Sequence, residues 1–401
     1  MAVSTPLWLD SDYHPRSALD SRQTTDIAIV GGGITGISAA LHLAQMGYPP
    51  VLLERDTIAS GASGRNAGFL IAGSVEFYHR AIGFVGHRKA KRLWELSLES
   101  HHILRNWITD DGIECDYQNR GSLVLAATES EWEEIQEAAR ALRSDGFNAE
   151  VVRQGTLRQW GEPLTRFLGG YYCLDDGGVN PACCIRGLAE IAERSGAKIY
   201  ENSPVIHLRE TKENTVIVKT PHGNVEAKFV LIAGNAYTPQ LDGILDGKVL
   251  PVRGQMLATG SIDKVIDIPC YANFGFDYFR QLPNGRFLLG GSRDIDPDSE
   301  LGFDETPNPK IQDGLDGYLM ELLNLNELRA ITHRWTGTMG FARDGLPIVG
   351  RLPQSSRIFV AAGFTGHGMS IAPKVAEIAS TLLIEGQHPD AGLFSIRRFL
   401  N

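Results

Sequence analysis

No stretch of this 401-residue chain approaches the ~20 consecutive apolar residues that a membrane-crossing helix requires. Nor does it open on a basic region followed by an apolar run, so neither a membrane span nor a secretory signal is expected. Positive charge is in deficit: 38 Lys plus Arg stand against 48 Asp plus Glu, for a formal net charge of -10. That balance argues against nucleic acid or an anionic membrane as partner, while leaving room for a local field that receives a small anion. Cysteine is scarce, and its count of five is odd: Cys115, Cys173, Cys183, Cys184 and Cys270. No Cys, His or carboxylate set has metal-ligand spacing, so a disulfide framework and a metal centre are both excluded. Reduced thiols in a cytoplasmic protein fit this usage. Cys183 and Cys184 follow Pro181 at an expected helix start, where small buried side chains are the plainer account than a redox pair. No Ser/His/Asp arrangement is readable, and there is neither an internal repeat nor a low-complexity segment.

What is present is a strand–glycine turn–helix–strand unit. Asp26-Ile27-Ala28-Ile29-Val30 enters Gly31-Gly32-Gly33-Ile34-Thr35-Gly36, and Val51-Leu52-Leu53 ends in Glu54-Arg55. This is the order of a dinucleotide-binding βαβ unit. Gly31 permits the sharp turn, Gly33 lets backbone approach a pyrophosphate, and Gly36 lets the helix lie close on the strand. The phosphates belong at the helix N-terminus, near Ile34 and Thr35, where unpaired N–H groups and the helix dipole favour negative charge. Glu54, eighteen residues past Gly36, is placed to accept hydrogen bonds from a ribose.

Residues 1–25 read as a polar extension over the first domain, with Trp8 and Leu9 as anchors. The periodicity predicts a long helix from about Gly86 to Asp110 and a charged amphipathic helix over Glu129 to Arg143. A further helix follows Pro181. Strands are expected around Val205, Val216 and Phe229–Ile232, and the stretch from Tyr237 to Arg334 is β-rich. The chain closes on a second strand–turn–helix, Arg357–Ala362, Gly363-Phe364-Thr365-Gly366-His367-Gly368 and a helix to about Ile384, more than 300 residues after the first. Nucleotide-binding α/β pieces thus alternate with β-rich pieces, which implies two discontinuous domains with a ligand in the cleft between them.

The first unit, the Ser63-Gly64-Arg65-Asn66 loop, Asp344-Gly345-Leu346-Pro347-Ile348-Val349-Gly350 and the closing Gly363–Gly368 turn occur together in this order. In that order they resemble the D-amino-acid-oxidase-like flavoproteins, a group that includes glycine oxidase, sarcosine oxidase and γ-glutamylputrescine oxidase. The last of these is the branch that the Ser-Gly-Arg-Asn loop and the Trp-Thr-Gly run at Trp335 are most similar to. The resemblance implies an α/β fold (α+β overall), with an FAD-binding Rossmann-like domain of the glutathione-reductase type and an interleaved β-rich substrate domain. Residues 1–112, 155–236 and 331–401 would form the FAD-binding domain, and 113–154 and 237–330 the substrate domain. It further implies that Gly31, Gly33, Gly36, Glu54 and Arg55 hold the ADP part, and that Ser63, Gly64, Arg65 and Asn66 pass along the pyrophosphate and flavin. Val205 would pair its backbone with adenine, and Ala233-Gly234 would lie beside the pyrophosphate. Gly340, Gly366, His367, Gly368 and Met369 would surround the flavin, with the terminal helix stabilising charge that develops near its N1 and C2 carbonyl.

The implied reaction is two-electron oxidation of a carbon–nitrogen bond. A neutral amine presents its α-C–H to flavin N5, hydride transfers, and the imine hydrolyses, with O2 or another acceptor closing the cycle. Two departures from relatives refine this. Amino-acid-oxidising members carry a carboxylate-clamping arginine five residues before the Asp-Gly of the penultimate motif, and that position here is Met339. A thioether cannot hold a carboxylate, so an amine, or a substrate whose carboxylate is held elsewhere, is favoured; Arg343, Arg280 and Arg253 are the candidate substitutes. Sarcosine oxidases attach FAD through a cysteine in the region matching Trp335–Gly350, and none occurs here after Cys270, so FAD is expected to be non-covalent. Tyr278 is the first candidate for substrate contact, followed by Phe69, Phe341 and His367 as walls or polar tips. His101, His102 and His333 are expected to be structural. The competing readings are another flavin chemistry such as glycerol-3-phosphate oxidation, and a non-catalytic flavin-binding redox or assembly protein.

Overall fold

The computed structural model describes residues 5–241, 243–328 and 330–399. The apolar run at its start forms the strand Arg22–Val30, which lies inside a sheet and pairs in parallel with Val51–Leu53 on one side and Asn224–Ile232 on the other. Lys198–Tyr200 extends the parallel array past Val51–Leu53, and Ile358–Ala362 extends it past Asn224–Ile232. Ile348–Arg351 adds an antiparallel edge. Because side chains alternate along a strand, Ile27 and Ile29 feed one core while Ala28 and Val30 feed another on the opposite face. The helices Ile34–Gln45, His87–Asp110, Pro181–Arg194 and Gly368–Glu385 cover the first face. An antiparallel meander, His207–Glu210 and Val216–Lys219 leading into Asn224–Ile232, covers the second.

A second eight-stranded sheet is built mainly from antiparallel pairs. Its long strands Val249–Ser261 and Ile331–Ala342 run side by side, followed by Arg286–Gly290, Asp277–Gln281 and Cys270–Ala272. Ser122–Ala126, Gly169–Cys173 and Glu150–Arg153 complete it. Two of these strands, Gly169–Cys173 and Ile331–Ala342, come from segments that the sequence grouped with the nucleotide-binding pieces. Gly169–Cys173 joins the sheet between nearby Glu150–Arg153 and distant Ser122–Ala126, and Ile331–Ala342 pairs with distant Val249–Ser261; local patterning cannot register such distant partners. Met256, Leu288 and Trp335 from this sheet pack into the helix-side core of the first, so the two sheets share apolar contacts beside the glycine turn.

The expected helices are present: His87–Asp110, and Glu129–Ser144 with a Thr128/Glu131 capping box. Asn180 caps Pro181–Arg194 by accepting from the Cys183 N–H at 3.2 Å, and Cys184 is fully buried at this helix start. The early segment is tied to the body. Trp8 is buried, and Arg16 pairs with Glu193 at 2.7 Å. No helix among the described residues is long and apolar enough to cross a membrane.

Candidate functional site

Two adjoining cavities lie where the sheets meet. The larger, about 430 Å3, begins at the glycine turn and runs past Glu54, Val205 and Ala233-Gly234 to Met339 and Met369. Gly31 has φ of +113°, a left-handed conformation, and a Cβ there would stand 2.7 Å from the Ala233 carbonyl oxygen. Gly36 serves the close packing of helix on strand, since a Cβ would collide with the Gly31 carbonyl oxygen. Ser63 reaches across from its loop to accept the Ile34 N–H at 3.0 Å. The N–H groups of Gly33 and Thr35 have no acceptor among the described residues, and both residues line the cavity. Glu54 accepts from the Gly32 N–H at 2.5 Å and the Asp56 N–H at 2.9 Å. Burial raises its pKa against the pull of those two donors. Arg55 lies 4.3 Å from the centre of the Tyr237 ring at the same end.

The terminal turn delivers a second helix N-terminus to this cavity. Ile358–Ala362 is two strands away from Arg22–Val30, about 10 Å at ordinary strand spacing. Thr365 and Gly366 both take positive φ, 51° and 83°, and bring the chain to Gly368 and Met369 on the cavity wall. The N–H groups of these two residues have no acceptor among the described residues. Unpaired donors at two helix ends, a half-buried carboxylate and a backbone approach that only glycine allows fit an extended dinucleotide such as FAD. The backbone of Val205, also on the wall, makes no hydrogen bond among the described residues.

The smaller cavity, about 160 Å3, shares Ala62, Asn66, Met339, Gly366 and Met369 with the first, so the two join there. Its walls carry Phe69, Tyr278, Phe341 and His367, together with Tyr271, Phe276 and Arg293. Phe69, Tyr271 and Tyr278 form an aromatic cluster with centroid separations of 5.1, 5.8 and 6.3 Å. Burial pushes the Tyr278 hydroxyl up to about 12. His367 is half-buried, and burial holds its pKa below the ordinary histidine range. Its Nδ1 lies 3.3 Å from the Thr365 carbonyl oxygen, which can only accept. Nδ1 therefore carries the proton, and Nε2 is the acceptor of a neutral ring.

Several expected residues have other placements. Gly36, Gly64 and Gly340 line neither cavity. A Cβ on Gly64 would meet the Ala59 carbonyl oxygen, and one on Gly340 would stand 2.5 Å from Asn235 Oδ1. Arg65 lines the smaller cavity, donates to the carbonyls of Ser60 and Thr336 at 2.8 and 3.2 Å, and pairs with Glu305 at 3.1 Å. Asn66 shapes its own loop, donating to Ser63 O at 2.7 Å and accepting from the Gly68 N–H at 2.7 Å. Of the three candidate carboxylate arginines, Arg253 is engaged by Glu300 at 2.8 Å and by the carbonyls of Asp304 and Thr306. Arg280 donates to the carbonyls of Gly68 and Val179 at 2.9 and 3.1 Å, and burial draws its pKa down to about 10. Arg343 is exposed and outside both cavities. His333 sits 3.2 Å from Asp10, and His101 is buried beside the Asp175 carbonyl.

Asn235, Tyr271 and Arg293 escaped the sequence reading. Asn235 follows the flagged Ala233-Gly234, and its Oδ1 accepts the Gly363 N–H at 3.0 Å, tying the two turns together. The other two reach the cavity through long-range strand pairing and a left-handed turn, and carry no local motif.

Residues 26–382 match the family described as FAD dependent oxidoreductase, DAO. The chain is 30% identical to gamma-glutamylputrescine oxidoreductase of Escherichia coli (strain K12), over 92% of this chain and 86% of that protein. It is 26% identical to glycine oxidase of Bacillus subtilis (strain 168), over 90% and 93% of the two chains. The crystal structure of glycine oxidase from Geobacillus kaustophilus superposes with a TM-score of 0.79 at 23% identity, covering 93% of this chain and 98% of that one.

Proposed function

The chain belongs to the FAD-dependent oxidoreductases of the DAO family, and from that membership we propose that it oxidises the C–N bond of a primary or secondary amine. The observation that carries this reading is the junction at Met339, Gly366 and Met369, where an aromatic-walled cavity of about 160 Å3 opens onto the cofactor cavity. FAD supplies the two-electron acceptor for the hydride that leaves the carbon beside nitrogen, and the imine so released hydrolyses in water.

The protein's own contribution is placement and protonation control. The walls of Phe69, Tyr271, Tyr278 and Phe341 exclude water and disfavour a charged ammonium, so the amine is held in its neutral form. His367, kept neutral by burial, offers Nε2 as a hydrogen-bond acceptor for an N–H of the neutral amine. Tyr278, kept protonated, donates a hydrogen bond to a polar substrate group. The thioether of Met339 stands at the junction in place of a cation, which supports an amine over an α-amino acid clamped there. Among the described residues no cysteine lines either cavity, which supports FAD held without a thioether bond.

The test is anaerobic addition of a panel of alkylamines, N-methyl amines, α-amino acids and glycerol 3-phosphate to the yellow holoenzyme, followed by loss of flavin absorbance. Bleaching by amines is expected, and admission of air then separates oxidase from dehydrogenase. Bleaching by dithionite but by no amine overturns the reading, as does bleaching by glycerol 3-phosphate alone.

A further inference from the structure

The smaller cavity has an unbalanced charge. Among the described residues on its wall there are two arginines and no Asp or Glu. Arg65 is engaged by Glu305 and two carbonyls. Arg293 is not: among the described residues its guanidinium has no carboxylate partner and makes no hydrogen bond, its backbone carbonyl alone accepting the Asp296 N–H. Its guanidinium carbon lies 5.0 Å from the centre of the Phe341 ring and 5.8 Å from that of Phe276. Aromatic contacts of this kind hold a guanidinium by its face and leave the in-plane N–H groups available to a planar anion.

The turn that presents it is fixed. Gly291 has φ of +129°, and a Cβ there would meet the Phe276 carbonyl oxygen. Ser292 is left-handed at φ 53°, and its N–H donates to Asp277 Oδ1 at 2.8 Å. Asp277, the nearest acid on the neighbouring strand, also accepts from Asn273 at 3.2 Å. Asp294, next in sequence, is exposed and off the cavity wall. A half-buried cation without a counter-ion is an incomplete arrangement, and a ligand that brings the anion completes it.

We propose that Arg293 binds the carboxylate of an amine substrate at the end of the pocket remote from the reacting carbon. This rests on the amine-oxidation reading for the reacting end. Met339 belongs to both cavities, whereas Phe341 and Arg293 belong to the smaller one alone. Phe341 is two residues beyond Met339 on one strand, about 7 Å along the same face. A carboxylate at Arg293 is therefore several bonds away from a carbon placed at the junction. An α-amino acid does not span that distance, and an ω-amino acid does. The same placement accounts for Met339, because a substrate anchored at its far end needs no cation beside the flavin.

The experiment uses the oxidised holoenzyme and three probes: pentanoate, which cannot be oxidised, 5-aminopentanoate, and pentylamine. Calorimetry measures pentanoate binding to the wild type, Arg293→Gln and Arg293→Lys, with flavin absorbance and Tm reporting that each variant is folded and loaded. Pentanoate affinity is expected to fall about tenfold or more in Arg293→Gln and less in Arg293→Lys. KM for 5-aminopentanoate should rise in parallel, while pentylamine stays within about twofold. No pentanoate binding to the wild type, or equal binding to Arg293→Gln, overturns the proposal. If no amine bleaches the flavin but pentanoate still distinguishes wild type from Arg293→Gln, the anion site stands and the amine-oxidation reading falls.

Discussion

The indole Nε1–H of Trp8 donates to the carbonyl oxygen of Asn66 at 2.7 Å. The adjacent carbonyl, that of Arg65, accepts from Trp335 Nε1 at 2.9 Å. Two tryptophans from distant parts of the chain thus hold consecutive peptide groups of the loop where the two cavities join. Trp8→Phe keeps most of the buried ring and removes the donor. A loss of about 1 kcal/mol is expected, read as a Tm lowered by about 1 °C in a chain of this length, together with faster release of FAD on dilution. An unchanged FAD release rate would show that the Trp8 bond does not steady the loop.

Gly33 has an ordinary φ of -78°, so alanine there incurs no backbone strain. Its Cβ would instead stand 2.9 Å from Ser63 Oγ, on a residue that lines the cofactor cavity. Gly33→Ala is expected to fold with a Tm near that of the wild-type apoprotein, to purify pale, and to bind added FAD at least ~10-fold more weakly. Fluorescence quenching of FAD on titration gives the two dissociation constants.

Asp176 gives a pH signature that does not depend on substrate. It is fully enclosed, accepting from Ser122 Oγ at 2.6 Å and from the Ala72 N–H at 2.8 Å, and burial raises its pKa to about 7. The unfolded value is about 3.9, so between these limits the folded state binds more protons than the unfolded one. Its contribution to stability is complete below the unfolded value and is lost as pH rises through about 7. Asp176→Asn keeps an acceptor for Ala72 and removes the titration. The variant should therefore gain Tm relative to the wild type on going from acid to pH 8. A pH-independent difference in Tm would assign the effect elsewhere.

Met339→Arg places a cation where the cavities join. The half-buried thioether has its Sδ 3.7 Å from the position of a Cβ on Gly366, and its Cε 3.1 Å from one on Gly254. Anaerobic bleaching should become faster with α-amino acids, and kcat/KM for alkylamines should fall by roughly tenfold. If the variant treats α-amino acids less well than the wild type does, Met339 is not the element that decides against them.

Much of the larger cavity's wall was legible because it is local. Gly31 to Glu54 is one continuous βαβ unit, and each glycine's demand arises within a few residues or across one strand. The Gly363–Gly368 turn announces itself in the same way. Legibility ends at the smaller cavity, which is assembled by register. Tyr271 faces it because Cys270–Ala272 pairs with Asp277–Gln281, and Arg293 because Ser292 reverses the chain after Arg286–Gly290. Residue type alone could not rank the arginines. Arg253 and Arg280 were plausible anion binders until their partners Glu300, Gly68 and Val179 appeared, and those partners lie 47 to 212 residues away in sequence. Gly340 looked like a flavin contact by its motif, whereas its bare backbone makes room for Asn235.

The larger cavity draws its wall from Val30 at one extreme and Met369 at the other. A nascent chain that has emerged only through the middle of the substrate sheet already displays the first helix N-terminus. It has neither Trp335 to hold the loop carbonyl nor the turn at Gly366 to close the far end. Only a chain synthesised through Met369 presents every wall of this cavity. A truncated translation product, however well its first βαβ unit has formed, lacks part of that wall.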